Sequence, residues 1–411
     1  MNPETENDSF VQKANIKIIE TEKKNIKKIL GNNCKNIFYL PFAFGKLSKK
    51  TTGLDLVIIS KFHRLDDISH KIKTLGYTLI SEKNNIFSIK KDNVIISLYI
   101  VSYGEENYYI LNDFKQYLSV NPQKEKEYIN LKNNLISSFS SLTTYEDSKF
   151  NYIKRVSREA VYWKILGKKI NITTFQEDKN YIYEIKGVQY RLNIGLSDIK
   201  THGLKIMTYI MGVKKTVHKF SGKVIAVIEE NNKILLIAAP VNKIYYEPDI
   251  KKAIGQAINL SSAKLVCLYE KSCGAVVYKK EKNKILYLLI KNRSKNIGFP
   301  KGHVEEDENE LDTAEREIME ETNVKVKIDK NFRISYNYNI NFFIRKQAVY
   351  YVAEIIDGTI KIPENEILSY HLVPFDEAYL LLTHPNEKKI LKNANQYINT
   401  KNNKGKTYVF R

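Results

Sequence analysis

Two hydrophobic periods alternate along the chain. The continuous apolar runs GLDLVIIS (Gly53–Ser60) and NVIISLYIV (Asn93–Val101) have the form of strands buried on both faces. Between them, LDDISHKIKTLGY repeats its apolar residues at helical spacing and stops at Gly76, a residue free to turn the chain out of a helix. Farther on, DFKQYLSVNPQKEKEYINLKNNLISSF reads as two helices broken at Asn121-Pro122, because a proline pushes the residue before it out of the helical region. Residues 1–160 are therefore predicted to be an α/β domain with a helical end.

The pattern changes after residue 165. YIYEIKGVQYRLNIG, LKIMTYIMGV and GKVIAVIEENNKILLIAAP are short strand-like runs separated by turn signals, including Asn231-Asn232. Residues 165–262 are predicted to form a small antiparallel β-barrel. A third segment, residues 268–400, opens with the hairpin CGAVVYKKEKNKILYLLIK, whose turn falls around Glu281–Lys284. It continues through an acidic helical stretch and closes with the amphipathic FDEAYLLL and EKKILKNANQYI. The predicted class is multidomain α+β.

Composition narrows the setting. An apolar fraction of 43%, with 28 Tyr and 17 Phe, belongs to folded domains. No apolar run reaches the ~18 residues of a membrane span, and the polar, acidic MNPETENDSF lacks the basic-then-apolar order of a signal peptide. Cys34, Cys267 and Cys273 have no paired spacing and read as reduced thiols of a cytoplasmic protein. The formal charge of +20 would suit a polyanion such as RNA. It comes mainly from dispersed lysines, however, while arginine, the better phosphate fork, is scarce, so solvated lysine faces are the favoured reading.

Against that charge stands GFPKGHVEEDENELDTAEREIMEETNVKV (Gly298–Val326). Glu317, Glu320 and Glu321 lie at i, i+3 and i+4 and share one helix face. Like charges so placed destabilise an isolated helix, whereas a hard divalent cation bound by carboxylates and substrate phosphates reverses the sign. The spacing runs Gly302, then Glu308, Arg316, Glu317, Ile318, Glu320, Glu321 and Val324. A chance match to this spacing in a chain of this length is on the order of 10⁻⁵ from residue frequencies.

This spacing resembles the Nudix box, with Asn323 standing where the family has glycine. Asparagine tolerates the left-handed conformation that such a helix end requires. The resemblance implies an α/β/α sandwich in which Glu317, Glu320 and Glu321, with a main-chain carbonyl near Gly302, hold Mg²⁺ or Mn²⁺. It implies a shape-holding salt bridge between Glu308 and Arg316. The surrounding residues resemble the asymmetric diadenosine tetraphosphate hydrolases: Pro300-Lys301-Gly302-His303 before the box, IRKQAVYYVAEI after it, then ENEILSYHLVPFDEA. By that likeness Lys301, His303 and Lys346 would contact the substrate, and Tyr350 would stack on adenine, although Tyr350 equally reads as a core strand aromatic. Glu366 would be a further carboxylate near the metals, and Tyr370 stands where relatives have tryptophan. Glu320 or Glu366 would orient or deprotonate the attacking water.

The first segment resembles the GrpB family, of nucleotidyltransferase-like fold, in DFKQYLSVNPQKEKEYINLKNNL and YEDSKFNYI. Its chemistry-bearing positions depart from that family. Gly45-Lys46 replaces a Gly-Ser turn, Ser97 and Tyr99 replace paired histidines, and Asp55 is the sole carboxylate placed for a metal. The middle segment resembles a short inorganic-pyrophosphatase barrel in FSGKVIAVIEENNKILLIAAP. The stretch Thr201-His202-Gly203-Leu204-Lys205 holds no acid, and Asn231-Asn232 stand where acids precede a lysine, here Lys233. Both are predicted to be catalytically silent. The expected function is cleavage of a dinucleoside polyphosphate to a nucleoside triphosphate and monophosphate. Hydrolysis at a capped or triphosphate RNA 5′ end, and a nucleotide sensor or scaffold, are the alternatives.

Overall fold

The computed structural model describes residues 3–41, 52–61, 65–91, 93–138, 141–175, 181–201, 204–230, 233–282 and 284–404. The chain divides into two compact units, Met1–Ile165 with Lys200–Leu204, and Leu166–Ile199 with Lys205–Arg411. The middle and C-terminal segments thus share one unit.

In the first unit five strands run in the order Cys34–Tyr39, Thr52–Ser60, Val94–Ser102, Ile86–Lys91, Thr78–Ser81. The two continuous apolar runs are the central strands, paired in parallel with Asp55 opposite Ser97 and Val57 opposite Tyr99. Parallel central strands are covered on both sides, which is why these runs do not alternate. Leu54, Leu56, Ile58, Ile96, Leu98 and Ile100 pack with Ile19, Ile26, Leu30, Ile68 and Ile72 on one face. The opposite face carries Asp55, Ser97 and Tyr99. Helix Leu65–Lys73 leads to Gly76 at φ 87°, and helices Glu106–Val120 and Pro122–Ser138 meet at Asn121.

Two long helices, Pro3–Leu30 and Leu142–Ile165, were not legible as periodic segments. In the former, Ile19, Ile26 and Leu30 face the core at i, i+7 and i+11, a thin stripe among lysines, asparagines and glutamates. The latter buries Tyr145, Glu146, Lys149, Tyr152, Ile153 and Val156, so part of its inward face is charged and invisible to an apolar count.

In the second unit Lys233–Ala239 pairs antiparallel with Lys219–Glu230 but parallel with Leu204–Val213, so the expected all-antiparallel arrangement of the middle strands is corrected to a mixed one. The path through Leu204–Val213, Val188–Thr201, Lys169–Thr174 and Lys219–Glu230 therefore returns on itself. The C-terminal sheet runs Ile297–Gly298, Lys284–Asn292, Tyr269–Glu281, Arg345–Asp357, Lys325–Asn339, with Lys301–His303 added to Tyr269–Glu281 and Ile367–Pro374 to Lys284–Asn292. Its hairpin closes with Glu281 opposite Lys284 and Lys282 at φ 51°. Cys273, Ala275, Val277, Val349, Tyr351 and Ala353 point to helix Glu310–Thr322 through Ala314 and Ile318. Val276, Leu289, Ala348, Tyr350 and Val352 point to helices Phe375–Leu381 and Pro385–Lys404 through Ala378, Leu391 and Ala394. The result is a sheet sandwiched between helices.

Candidate functional site

The acidic helix begins and ends on asparagine. The Asn309 side chain accepts from the N–H groups of Leu311 (2.9 Å) and Asp312 (3.2 Å), satisfying two of the four N–H groups that a helix start leaves free. At the other end Asn323 sits at φ 57°, ψ 28°, the left-handed conformation that glycine and asparagine accept most readily. Ala314 and Ile318, four apart, anchor the helix to the sheet; Glu317 and Glu321 flank them on one side, and Glu320 faces outward.

Strand Lys301–His303 lies close to that side. Opposite it in the sheet stands Gly274, where a Cβ would collide with the Pro300 carbonyl and Lys301. A Cβ at Gly302 would collide with the Glu317 carboxylate, so this glycine lets main chain and carboxylate meet. The Lys301 N–H donates to Glu321 Oε2 at 2.9 Å, and Arg316 Nη2 donates to the His303 carbonyl at 2.9 Å. Arg316 also holds Glu308 by two bonds, 2.6 and 3.0 Å, the side-by-side fork that guanidinium and carboxylate favour. Its Nη1 is shared by Glu317 (2.8 Å) and Glu320 (2.9 Å).

Three glutamates thus share one guanidinium, and Glu321 has only a main-chain donor. The electrostatics follow. Hydrogen bonds from Arg316 pull Glu308 down to about 2. Burial raises Glu317 above the usual carboxylate range, against the pull of Arg316. Burial lifts Glu321 to about 8; the charges of Glu317 and Glu366 add to it, and the Lys301 N–H and ammonium oppose it. Among the described residues no three His, Cys, Asp or Glu side chains converge as a ready metal cluster. Glu317, Glu320 and Glu321 share a face as their spacing dictates; the first two meet Arg316 and the third meets the Lys301 N–H.

The remaining predicted residues divide. Lys346 is nearly covered and its Nζ lies 2.9 Å from His303 Nε2, while His303 itself is 60% exposed. Burial lowers the Lys346 ammonium, with Glu270 opposing. Glu366 is exposed and within electrostatic reach of Glu321, and Tyr370 is exposed on strand Ile367–Pro374. Tyr350 is different. Its ring is 0% exposed, sits in the core and stacks at 7° on Tyr336, and its hydroxyl donates to Glu387 at 2.8 Å. No base can lie on a ring with no free face, so the expected adenine contact at Tyr350 is corrected to a core role. Alternation placed it among Ala348 and Val352, on the face covered by the C-terminal helices. Tyr336 and Tyr338, on the neighbouring strand and the same face, keep part of their rings exposed.

Two acidic residues near these positions went unread. Glu270 pairs across the sheet with Lys346, and its Oε2 lies 3.1 Å from His303 Nε2. Its one sequence signal is its place four residues before Gly274. Glu387 belongs to the first turn of the last helix, and nothing in its sequence neighbourhood distinguishes it from a solvated capping acid.

In the first unit the expectation of a lone Asp55 is also corrected. Glu146, on helix Leu142–Ile165, joins it in one buried cluster. Ser97 and Tyr99, read from the sequence as replacing paired histidines, both donate to Glu146, at 2.5 and 3.3 Å. Gly45, Lys46, His202, Gly203, Asn231 and Asn232 lie outside the described residues. Of the other middle-segment positions, Leu204, Lys205 and Lys233 are exposed at strand ends.

Two family matches fall on the chain, one in each unit. Residues 268–394 match the NUDIX domain family, and residues 49–159 match the GrpB protein family. The bis(5'-nucleosyl)-tetraphosphatase [asymmetrical] of Sus scrofa is 29% identical over 140 residues, 31% of this chain and 95% of that protein. The protein of the same description from Rattus norvegicus has the same identity and coverage, 29% over 140 residues. Among solved structures, a binary complex of the C. elegans Ap4A hydrolase aligns at 22% identity with a TM-score of 0.30, covering 32% of this chain and 98% of that one. No helix is long and apolar enough to cross a membrane among the described residues. Residues 49–159 thus carry a GrpB domain and residues 268–394 a NUDIX domain, and the NUDIX match with its tetraphosphatase relatives supports a hydrolase acting on pyrophosphate bonds.

Proposed function

We propose that the second unit cleaves dinucleoside polyphosphates asymmetrically, releasing a nucleoside triphosphate and a monophosphate from a tetraphosphate, with Mg²⁺ or Mn²⁺. The observation that carries this reading is the seam between strand Lys301–His303 and the acidic helix: Glu317 against Gly302, Glu321 on the Lys301 N–H, Arg316 on the His303 carbonyl. A hard cation suits the donor set, which is all oxygen, carries more negative charge than Arg316 offsets, and contains one carboxyl lifted to about 8 by burial. Glu317, Glu320, Glu321 and the Gly302 carbonyl would hold it. When bound, it supplies charge neutralisation on nonbridging phosphate oxygens.

The chain's own groups then have distinct tasks. Glu308 and Arg316 fix the loop against the helix, so the carboxylates start from one geometry. Lys301, Lys346 and His303 line the phosphate path and offset its charge. Glu320, largely exposed, or Glu366 accepts a proton from the attacking water and orients it. Tyr338, with Tyr336 behind it, offers the aromatic surface that Tyr350 does not. The GrpB domain, and the middle strands read as a pyrophosphatase-like barrel without its aspartates, take no part in the chemistry. Incubation of the purified chain with diadenosine tetraphosphate and Mg²⁺, with chromatography of the products, should give ATP and AMP in equal amounts. Two ADP, or a strong preference for ADP-ribose or capped RNA in the same panel, would overturn the reading. The full chain carrying Glu320→Gln should release no phosphate from pyrophosphate.

A further inference from the structure

The first unit holds two carboxylates against one face of its sheet, Asp55 on strand Thr52–Ser60 and Glu146 on helix Leu142–Ile165. Both are fully buried, as are Lys132 and Lys149. The Lys149 ammonium has three N–H donors and three oxygens around it: Asp55 Oδ1 at 2.5 Å, Ser97 Oγ at 2.9 Å and Glu146 Oε2 at 3.0 Å. Lys132 meets Asp55 Oδ2 at 2.9 Å and the carbonyls of Pro41 and Gly53 at 2.7 and 3.3 Å. The remaining carboxylate capacity is taken by hydroxyls. Tyr128 donates to Asp55 Oδ2 at 3.0 Å, and Ser88 and Ser97 donate to Glu146 Oε1 at 2.9 and 2.5 Å. Tyr99 completes the set on Glu146 Oε2.

Two negative and two positive charges cancel, and each of the four has full hydrogen-bond partners, the condition under which buried ions are tolerated. Burial alone would raise the Asp55 carboxyl, but the charges and hydrogen bonds of Lys132 and Lys149 hold it well below its usual range. Burial would likewise lower Lys149, yet Asp55 and Glu146 hold it above its usual range. The rings of Tyr145 and Tyr99 lie 4.5 and 5.5 Å from its Nζ and add their negative faces. A divalent cation has no room or net charge to enter this arrangement.

We infer that Lys149 is a built-in cation: its ammonium occupies the position between Asp55 and Glu146 that a divalent ion would take, so this centre is a latent metal site kept shut by the chain itself. The signal in the sequence is the spacing of Glu146 and Lys149, one helical turn apart on helix Leu142–Ile165, which brings a carboxylate and its own counter-ion to the same point. The inference concerns the first unit alone and is independent of the proposed substrate.

Removal of the ammonium tests it. In the full chain, Lys149→Ala leaves two adjacent buried carboxylates against Lys132 alone. Calorimetric titration with Mn²⁺ should count one ion per chain more than the wild type, and the thermal midpoint of the variant should climb with Mn²⁺ concentration more steeply than that of the wild type. Glu146→Gln/Lys149→Met removes one charge of each sign, and should fold without metal and bind no extra ion. A folded Lys149→Ala chain with the wild-type ion count would overturn the inference. So would a Lys149→Ala chain that stays unfolded in Mn²⁺ while the double variant folds, because the ion then fails to replace the ammonium.

Discussion

Each unit gathers carboxylates against the strands of a sheet, and the two gatherings are balanced in opposite ways. In the first, Asp55 and Glu146 meet Lys132 and Lys149 one for one, out of water, with hydroxyls taking the rest. In the second, Glu308, Glu317 and Glu320 share Arg316, and Glu321 rises to about 8 with a single main-chain N–H. The lesson is that acidic residues alone do not make a metal centre. What matters is whether the fold supplies their counter-charge or leaves it to a ligand.

The sharpest way to break this contrast is to remove a carboxylate from the unbalanced set. Glu320→Gln should lower turnover by roughly three orders of magnitude, since a metal's charge stabilisation amounts to several kcal/mol. Circular dichroism should show the helix intact, because one repelling charge is gone. Near-normal turnover would remove Glu320 from the site. The same kind of deletion in the balanced set should act on stability instead. Lys132→Met breaks a buried pair and should cost about 3–5 kcal/mol in urea unfolding of the first unit. A loss within experimental error would show that the cluster is not charge-balanced as drawn.

Proton linkage sharpens the comparison. The Glu321 carboxyl stands at about 8 against an ordinary value of 4.5, so its ionised form is disfavoured in the folded apo protein. Apo stability should therefore fall as pH rises from 4.5 through 8. A divalent cation entering below pH 8 should displace a proton, and its affinity should drop by up to about tenfold per pH unit downward. Titrations in buffers of different ionisation heat would count that proton, and a pH-independent affinity between 6 and 8 would refute the reading. Tyr338→Ala should raise KM about tenfold with a smaller change in kcat, since stacking of about 1–3 kcal/mol is mostly uniform binding. Tyr350→Phe should leave KM within about twofold, as a core ring that keeps its packing. The smallest effect belongs to the helix end: Asn323→Gly should shift stability by no more than about 0.5 kcal/mol, because both residues accept the left-handed conformation.

Much of the architecture was legible because it rests on local rules. Gly76, Asn121-Pro122 and Asn323 end helices for reasons of backbone sterics that act within a few residues. The parallel central strands were legible as unbroken apolar runs. Helix Leu142–Ile165 was not, because it turns Glu146 and Lys149 inward, and a period built partly of charges looks like a solvated face until something is seen to cover it.

The sequence by itself determined that Glu317, Glu320 and Glu321 share one helix face, since 3.6 residues per turn places them there in any context. It determined equally that Asn323 suffices to end that helix. Only the tertiary structure decided which carboxylates are compensated. Lys149 reaches Asp55 across 94 positions of the chain, and Lys132 reaches it across 77. Pairing over such separations depends on how helices dock on a sheet, not on any spacing within one element. In the second unit, packing likewise buried Tyr350, on an inner strand against Tyr336, Phe299 and the last helices, and left Tyr338, on the outer strand, partly open.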